Sequence, residues 1–507
     1  MTPSTILADI DPGPDMNHPP NKSAASRWIV GICGLLLLVF AVISFSAVLT
    51  KNATIDEPTQ STSGWLALRR HDFRVETVSS PLWEGWAAVG NLWSDLPLTH
   101  DSVIWNNRTW DPKAEVLWSG QTLYQSPGFD GDAFIQRARA MMLLLGLTLG
   151  IVIACWSFEL AGPVAAIVSL ALFCFDPNFL AHAPLVKSDV SFALVLLALA
   201  YSLWRAGHSA TIRRVLLIGV LSGVAINLKF SGLLAGPLLA ILLLIRALLP
   251  DPWRVLGRSL QSRISRVIAG ALIGVFAVIC CFTITWECYG FRYRPAPSPA
   301  VSMDMPAIFA KAKLVEATVE LGHVPTPAEL AQRVPGSFSR FIQWMDTRHL
   351  LPQAMLAGLL YQHTCVQRWP AFLNGDVYYN GRWTYFPLAM LYKTPVAELV
   401  TFFFAGCVLI ATASAARKQL WTISCLVIPF AIFAAAALTT HLNIGLRNVL
   451  PLYPFLYIAS GCAVAMLWKR RPRLDALARR RIRADAHLRN TVGLAGLHRL
   501  FQFPHRW

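Results

Sequence analysis

The chain has 507 residues, 55% hydrophobic and 14% charged, with a mean hydropathy of +0.48. That balance excludes an ordinary water-soluble globule and fits a polytopic membrane protein. The formal net charge is +16, and from Lys469 onward 11 Lys/Arg stand against Asp475 and Asp485, a surplus of +9 that directly follows an apolar segment. It reads as a cytoplasmic tail facing anionic lipid rather than a nucleic-acid-binding arm.

Residues 1–27 are rich in Pro, Asp and Asn and are expected to form a disordered cytoplasmic N-terminus. Residues 28–50 carry no charge and are long enough to cross a bilayer. This run begins too late and is too long for a signal peptide, so it reads as a retained anchor. Six residues beyond it stand Asp56-Glu57-Pro58, two acids at the membrane–water boundary. The polar stretch 51–136 then holds Trp65, Trp83, Trp86, Trp93, Trp105, Trp110 and Trp118. Tryptophan suits the membrane interface, so residues 83–96 read as an interfacial helix, or as part of a small soluble cap with a Trp core; the two are compatible.

Further apolar segments follow at about 137–158, 163–181, 189–206, 215–231, 233–249, 267–286, 395–416, 420–440 and 449–468. The expected fold is therefore an all-α polytopic membrane protein with about ten transmembrane helices, because backbone polar groups must be satisfied internally at that depth. Two large polar loops remain, 51–136 and 287–394. The second has helix-like patches at 306–321 and 327–334, each with proline near its start. The membrane domain is bounded as 28–468, with a basic tail over 469–507.

Basic connections set the orientation. Arg205, Arg213 and Arg214 flank one; Arg254, Arg258, Arg263 and Arg266 fill another; Arg417-Lys418 and the tail supply two more. With ten spans and both termini cytoplasmic, all four fall on the cytoplasmic side. Asp56-Glu57, the loop near Asp189, the 287–394 segment and residues 441–448 then lie outside the cytoplasm. No inverted repeat of transporter type is visible, since both large loops share one side.

Ten cysteines are scattered, mostly within apolar segments, with no CxxC or Cys/His metal spacing. Cys288 and Cys365 fall in or beside the long polar region, and whether they form a disulfide stays open. P-loop, GxGxxG and HExxH patterns are absent, which leaves ATP hydrolysis, nicotinamide chemistry and zinc proteolysis unsupported. Asp56, Glu57, Asp189 and His182 could in principle assemble a divalent metal site, but nothing fixes their spacing; no cofactor is expected, and a metal requirement stays open.

Polar groups converge on the outer face: Asp56 and Glu57 after the first span, Arg137 and Arg139 at the start of the second, His182, Lys187 and Asp189 between the third and fourth. Lys229 ends the fifth, Lys393 precedes the eighth, and His441, Asn443 and Arg447 lie between the last two. Each has a plain structural reading, as a snorkelling anchor for Arg137, Lys229 or Lys393 and as a helix cap for Asp189. Charges at this depth are costly and tend to pair or serve a site. Together, a carboxylate base and a cation cluster suit transfer of a group from a lipid phosphate: the acid accepts a proton and the cations hold the leaving phosphate.

Four stretches carry a resemblance. They are "TIDEPTQSTSGWLALRRHDFRVETVSSPLW", "FDPNFLAHAPLVKSDVSFAL", "FLNGDVYYNGRWTYFPLAMLYKTP" and "NIGLRNVLPLYPF", in this order from about residue 52 to 456. They resemble the dolichyl-phosphate-mannose protein mannosyltransferase-like enzymes of the GT-C superfamily, closest to the bacterial phospholipid-carrier-dependent branch. Asp56-Glu57-Pro58, Gly64, Leu68, Asp72-Phe73 and Pro81-Leu82 match the first-loop motif, with His71 in place of a turn glycine and Ser80 in place of a proline.

The resemblance implies an inverting glycosyltransferase that moves a sugar from a polyprenyl monophosphate to a hydroxyl acceptor on the extracytoplasmic face. Asp56 would be the base, with Glu57 supporting it or contacting the acceptor. Arg137 or Arg139, Lys229, Lys393 and Arg447 would contact the donor phosphate. His182, Asp189 and Asn443 would contact substrate. Lys187 replaces a residue that is usually small and polar. The expected partners are a polyprenyl-phosphate-linked sugar donor, an unknown hydroxyl acceptor and membrane lipid, with no nucleic acid. The rival reading is a transporter or flippase of a lipid-linked sugar; it predicts charges along a pathway at both faces, whereas these gather at one.

Overall fold

The computed structural model describes residues 22–98, 112–299, 301–411 and 419–469. The expected disordered N-terminus, Trp105, Trp110, Arg417-Lys418 and nearly all of the basic tail lie outside the described residues. The chain is mostly helical. In order come α1 (Lys22–Leu49), α2 (Glu57–Arg70), α3 (Pro81–Ala88), α4 (Pro112–Tyr124), α5 (Gly131–Ala161), α6 (Pro163–Phe175), α7 (Pro177–His182), α8 (Ser188–His208), α9 (Ile212–Leu228) and α10 (Ala235–Leu248). They are followed by α11 (Arg263–Cys288), α12 (Met305–Leu321), α13 (Pro327–Gln332), α14 (Ser337–Thr347), α15 (Gln353–Gln367), α16 (Tyr385–Lys393), α17 (Val396–Ala411), α18 (Leu420–Thr439) and α19 (Leu446–Lys469), the last opening with a 3₁₀ turn.

Each of the ten apolar segments is mainly helical over its described residues, but the count of ten spans is not reproduced. Among the described residues seven helices are long and apolar enough to cross a membrane, or eight if the α16–α17 pair, bent by 118°, is one span. The shortfall lies in α6 and α9, with 13 and 17 residues. At 1.5 Å per residue they reach only about 20 and 26 Å, short of a hydrocarbon core of about 30 Å. The segment expected at 163–181 breaks at Asp176, whose side chain accepts from Asn178 N and starts α7, with Pro177 fixing its first turn.

The bundle core joins α1, α5, α6, α8, α10 and α19, with Trp156, Leu199 and Tyr457 fully buried. Two small sheets flank it. β1 (Ser209–Ala210) pairs parallel with β2 (Trp253–Val255), which pairs antiparallel with β3 (Arg258–Leu260); β4 (Ala371–Leu373) and β5 (Asp376–Tyr378) form a hairpin. The first sheet, which itself carries Arg254 and Arg258, lies by the helix ends that carry Arg205, Arg213, Arg214 and Arg263, at the opposite ends of α8 and α9 from Asp189 and Lys229.

The two polar loops make one cap. Phe73 N donates to Pro295 O (2.8 Å), Arg292 Nη2 donates to His71 O (2.7 Å), and Phe73 and Tyr289 pack edge to face in a cluster with Met305, Ile342 and Leu356. Of the tryptophans, Trp65, Trp83 and Trp118 are buried as core, whereas Trp86 and Trp93 are exposed. At Gly64, α2 crosses α3 so closely that an added Cβ would sit 2.0 Å from Glu84 O. His71 ends α2 at φ +51°, the left-handed region where glycine carries no penalty and a side chain does. His71→Gly is therefore expected to leave the structure intact and raise stability by up to about 1 kcal/mol, read as a higher midpoint of thermal unfolding in detergent. Ser80, in place of the motif proline, caps α3. All ten cysteines are free thiols, so Cys288 and Cys365 are not bridged.

Candidate active site

Asp56 sits at the N-cap of α2 without using its side chain as a cap. Its Oδ2 meets Lys187 Nζ at 3.0 Å and Arg447 Nη1 at 3.2 Å. The carboxylate is 34% exposed, so it faces solvent while held by two cations. Burial would raise its pKa; Lys187 and Arg447 outweigh that and hold it below the ordinary 3.8.

Glu57 has a different place. Arg139 Nε donates to Oε1 (2.9 Å) and Nη2 to Oε2 (2.7 Å), and the amides of Thr54 (2.7 Å) and Val186 (3.1 Å) donate to the two oxygens. Both partners are about 1% exposed or less. Burial alone would raise the Glu57 pKa, but these four donors bring it below its usual value. Arg139 gives its remaining N–H groups to the carbonyls of Val48 (3.0 Å), Lys51 (3.0 Å) and Asn52 (3.0 Å). All five guanidinium donors are occupied. In this structure Arg139 therefore has no free N–H for the phosphate expected there, and both Glu57 oxygens are engaged by donors. The pair ties the end of α1, the Asp56 loop and the approach to α8 together.

Asp189 is 5% exposed, and its Oδ1 accepts from Lys229 Nζ (2.7 Å), which also donates to Asn448 Oδ1 (3.0 Å). Lys187, not Asp189, is the N-cap residue of α8. His182 lies within the field of Asp189, Lys187, Arg447 and Lys393, and its buried Nδ1 has no hydrogen-bond partner among the described residues. Gly445, at φ +102°, opens the 3₁₀ turn that delivers Arg447 and Asn448. Structure thus brings Asp56, His182, Asp189, Lys229, Lys393 and Arg447 to one end of the bundle.

Two expected residues are placed elsewhere. Arg137 is exposed and turned to the first loop, donating to Ala133 O (3.0 Å) and Ser94 Oγ (3.4 Å). Asn443 is buried with Oδ1 accepting from Arg382 N (2.8 Å) and Tyr378 OH (3.2 Å), so it pins the β4–β5 hairpin. Sequence reasoning missed Lys187 as the nearest cation to Asp56; its place two residues before Asp189 in a matching motif was the available signal.

It also missed Glu76, which lies close enough to Asp56 for their charges to interact and whose pKa burial pushes up to about 7. Between its ordinary 4.5 and about 7 the folded protein holds a proton that the unfolded chain has released, so stability falls as pH rises through that window. Glu76→Gln is expected to raise the unfolding midpoint at pH 8 and to change it little at pH 4. An equal shift at both pH values would remove this titration from the cap.

Between the cap and the spans a cavity of about 430 Å³ runs from Ser188, Lys229 and Asn448 to an apolar wall of Leu228, Phe230, Leu233, Phe433 and Ala436. Its polar end adjoins Lys187 and Arg447 in sequence, the two cations on Asp56. No group of three or more His, Cys, Asp or Glu suited to a metal ion occurs among the described residues.

Residues 131–286 match the family model described as dolichyl-phosphate-mannose-protein mannosyltransferase. The matched segment contains Arg139, His182, Lys187, Asp189 and Lys229, and the remaining candidate residues, Asp56, Lys393 and Arg447, lie outside it. Its long apolar helices and those that follow make the chain a multi-pass integral membrane protein. No curated protein matches the chain. The oligosaccharyltransferase AglB of Archaeoglobus fulgidus, solved with an inhibitory peptide and a dolichol-phosphate, superposes with a TM-score of 0.47 at 12% identity over 89% of this chain and 52% of that one. The apo oligosaccharyltransferase of the same organism gives a TM-score of 0.45 at 12% identity with the same coverage. The chain thus spans about half the length of these structures.

Proposed function

We propose that the protein is an inverting, polyprenyl-phosphate-dependent glycosyltransferase acting on the extracytoplasmic face. The observation that carries this reading is Asp56 held by Lys187 and Arg447, whose chain neighbours Ser188 and Asn448 line, with Lys229, the polar end of a cavity with an apolar wall. The apolar wall suits a polyprenyl chain, and Lys229, Lys393 and Arg447 suit its phosphate. The gathering of basic residues at the opposite bundle end supports the orientation. The family match over 131–286 supports the donor class.

In the proposed step an acceptor O–H attacks the anomeric carbon, Asp56 takes its proton, and the bond from that carbon to the phosphate oxygen breaks. The electron pair leaves with the lipid phosphate, which the cations hold. Arg447 is shared: a phosphate that draws it away from Asp56 restores basicity to the carboxylate as the donor binds. Asp189 holds Lys229 at the polar end of the cavity, His182 stands within the same group of charges, Glu57 and Arg139 position the base, and no metal enters the step.

Incubating the purified protein with a radiolabelled polyprenyl-phosphate hexose or pentose tests the reading. Time-dependent loss of sugar from the lipid is expected; movement of intact donor across vesicles without cleavage would replace the transferase by a flippase. Because Lys187 lowers the Asp56 pKa, the acid limb of the rate profile lies below about 3.8 in the free enzyme, and Lys187→Met is expected to move it upward. An unmoved limb would detach that limb from Asp56.

A further inference from the structure

A second cavity, of about 300 Å³, opens in the cap between α12, α14 and α15. It shares Phe338 and His363 with the larger cavity, so both cavities border this pair of tilted rings, whose centroids are 4.5 Å apart. Its lining differs from that of its neighbour. Lys313, Glu316, Glu320, Arg333, His363 and Gln367 face it, where the larger cavity is mainly apolar.

These polar groups are largely balanced against each other. Arg333 Nη1 meets Glu320 Oε1 at 2.5 Å. Glu316 accepts from Gly336 N (2.8 Å) and Ser339 Oγ (2.6 Å), and His363 Nε2 lies 3.3 Å from Glu316 Oε1 and 2.7 Å from Gln367 Nε2. Two acids and two bases leave no net sign to select an anion or a cation. What they offer is a ring of fixed donors and acceptors beside an aromatic face, the arrangement that hydroxyls on a compact ring satisfy.

We infer that this cavity is the acceptor subsite and that it takes a neutral saccharide, so that the acceptor is a glycan rather than a peptide hydroxyl. The inference rests on the transferase reading for the word acceptor, and on the cavity alone for saccharide binding. A sugar unit seated against Phe338 and Gln367 places the next unit of the glycan at the Phe338–His363 boundary, on the side of Lys229 and Ser188.

The test is saturation-transfer NMR on the purified full-length protein in detergent. Probes are the methyl glycosides of glucose, galactose and mannose, with N-acetylserine methylamide as the peptide probe. At least one hexoside is expected to give a signal that weakens about fivefold or more in Gln367→Ala and in Lys313→Ala, as loss of one hydrogen bond implies. Lys313 makes no ion pair among the described residues, so the second variant keeps the internal bonds of the cap. Absence of any hexoside signal, a signal unchanged in both variants, or a signal from the serine probe alone would overturn the inference. Donor cleavage without hexoside binding sinks the subsite and spares the transferase. Hexoside binding that depends on Gln367 without donor cleavage sinks the transferase and leaves a saccharide site.

Discussion

Asp56→Asn is expected to reduce sugar transfer about a thousandfold or more while protein level and unfolding midpoint stay near those of the parent. Proton removal by a placed base contributes about 10²–10⁴ in rate, and asparagine keeps the shape but takes no proton. About 4 kcal/mol of barrier is thus at stake. The change also frees Lys187 and Arg447, both bound to Asp56 Oδ2 in the parent. Donor binding should then be unchanged or tighter, so kcat falls and the donor KM does not rise. That split separates loss of a base from collapse of the site, which would raise KM or lower the protein level. Transfer at the parental rate by Asp56→Asn would remove Asp56 from the reaction.

Arg139→Ala is expected to act on stability instead. It strips Glu57 of its bidentate partner and leaves the carbonyls of Val48, Lys51 and Asn52 without their donor. An uncompensated buried charge of this kind costs about 3–5 kcal/mol, so little folded protein should accumulate. Glu57→Gln in the Arg139→Ala background removes the stranded charge and should recover part of the loss. Stable Arg139→Ala protein with a raised donor KM would restore the role in phosphate binding that the sequence suggested.

These two residues mark where the sequence was legible and where it was not. Apolar runs announced every long helix, because burial in lipid demands apolar length. They did not announce that α6 stops at Asp176, since a proline inside an apolar run is compatible with either a kink or a break. Asp56 stood out by type and place. Arg137 and Arg139 are two residues apart on one helix, and spacing alone cannot choose between them: a helix turns two such positions to different faces, and only packing against α1 and α2 decides which is buried. Glu76 reaches Asp56 through a tertiary contact that no local pattern encodes, and Lys187 had only its place in the Asp189 motif to mark it. Asn443 sits in a matching motif, yet its amide serves the hairpin.

The ion pair of Asp56 with Arg447 joins positions 391 apart in the chain. During synthesis the base is made near the beginning and its second cation near the last span. Until residue 447 emerges and α19 packs, Asp56 faces Lys187 alone, and neither Arg447 nor Asn448 is present to complete the cationic end of the cavity. A ribosome-bound or prematurely terminated product therefore has no finished donor site. If the proposed transfer is the activity, its onset is tied to completion of the bundle, and half-made chains do not discharge a lipid-linked sugar to water.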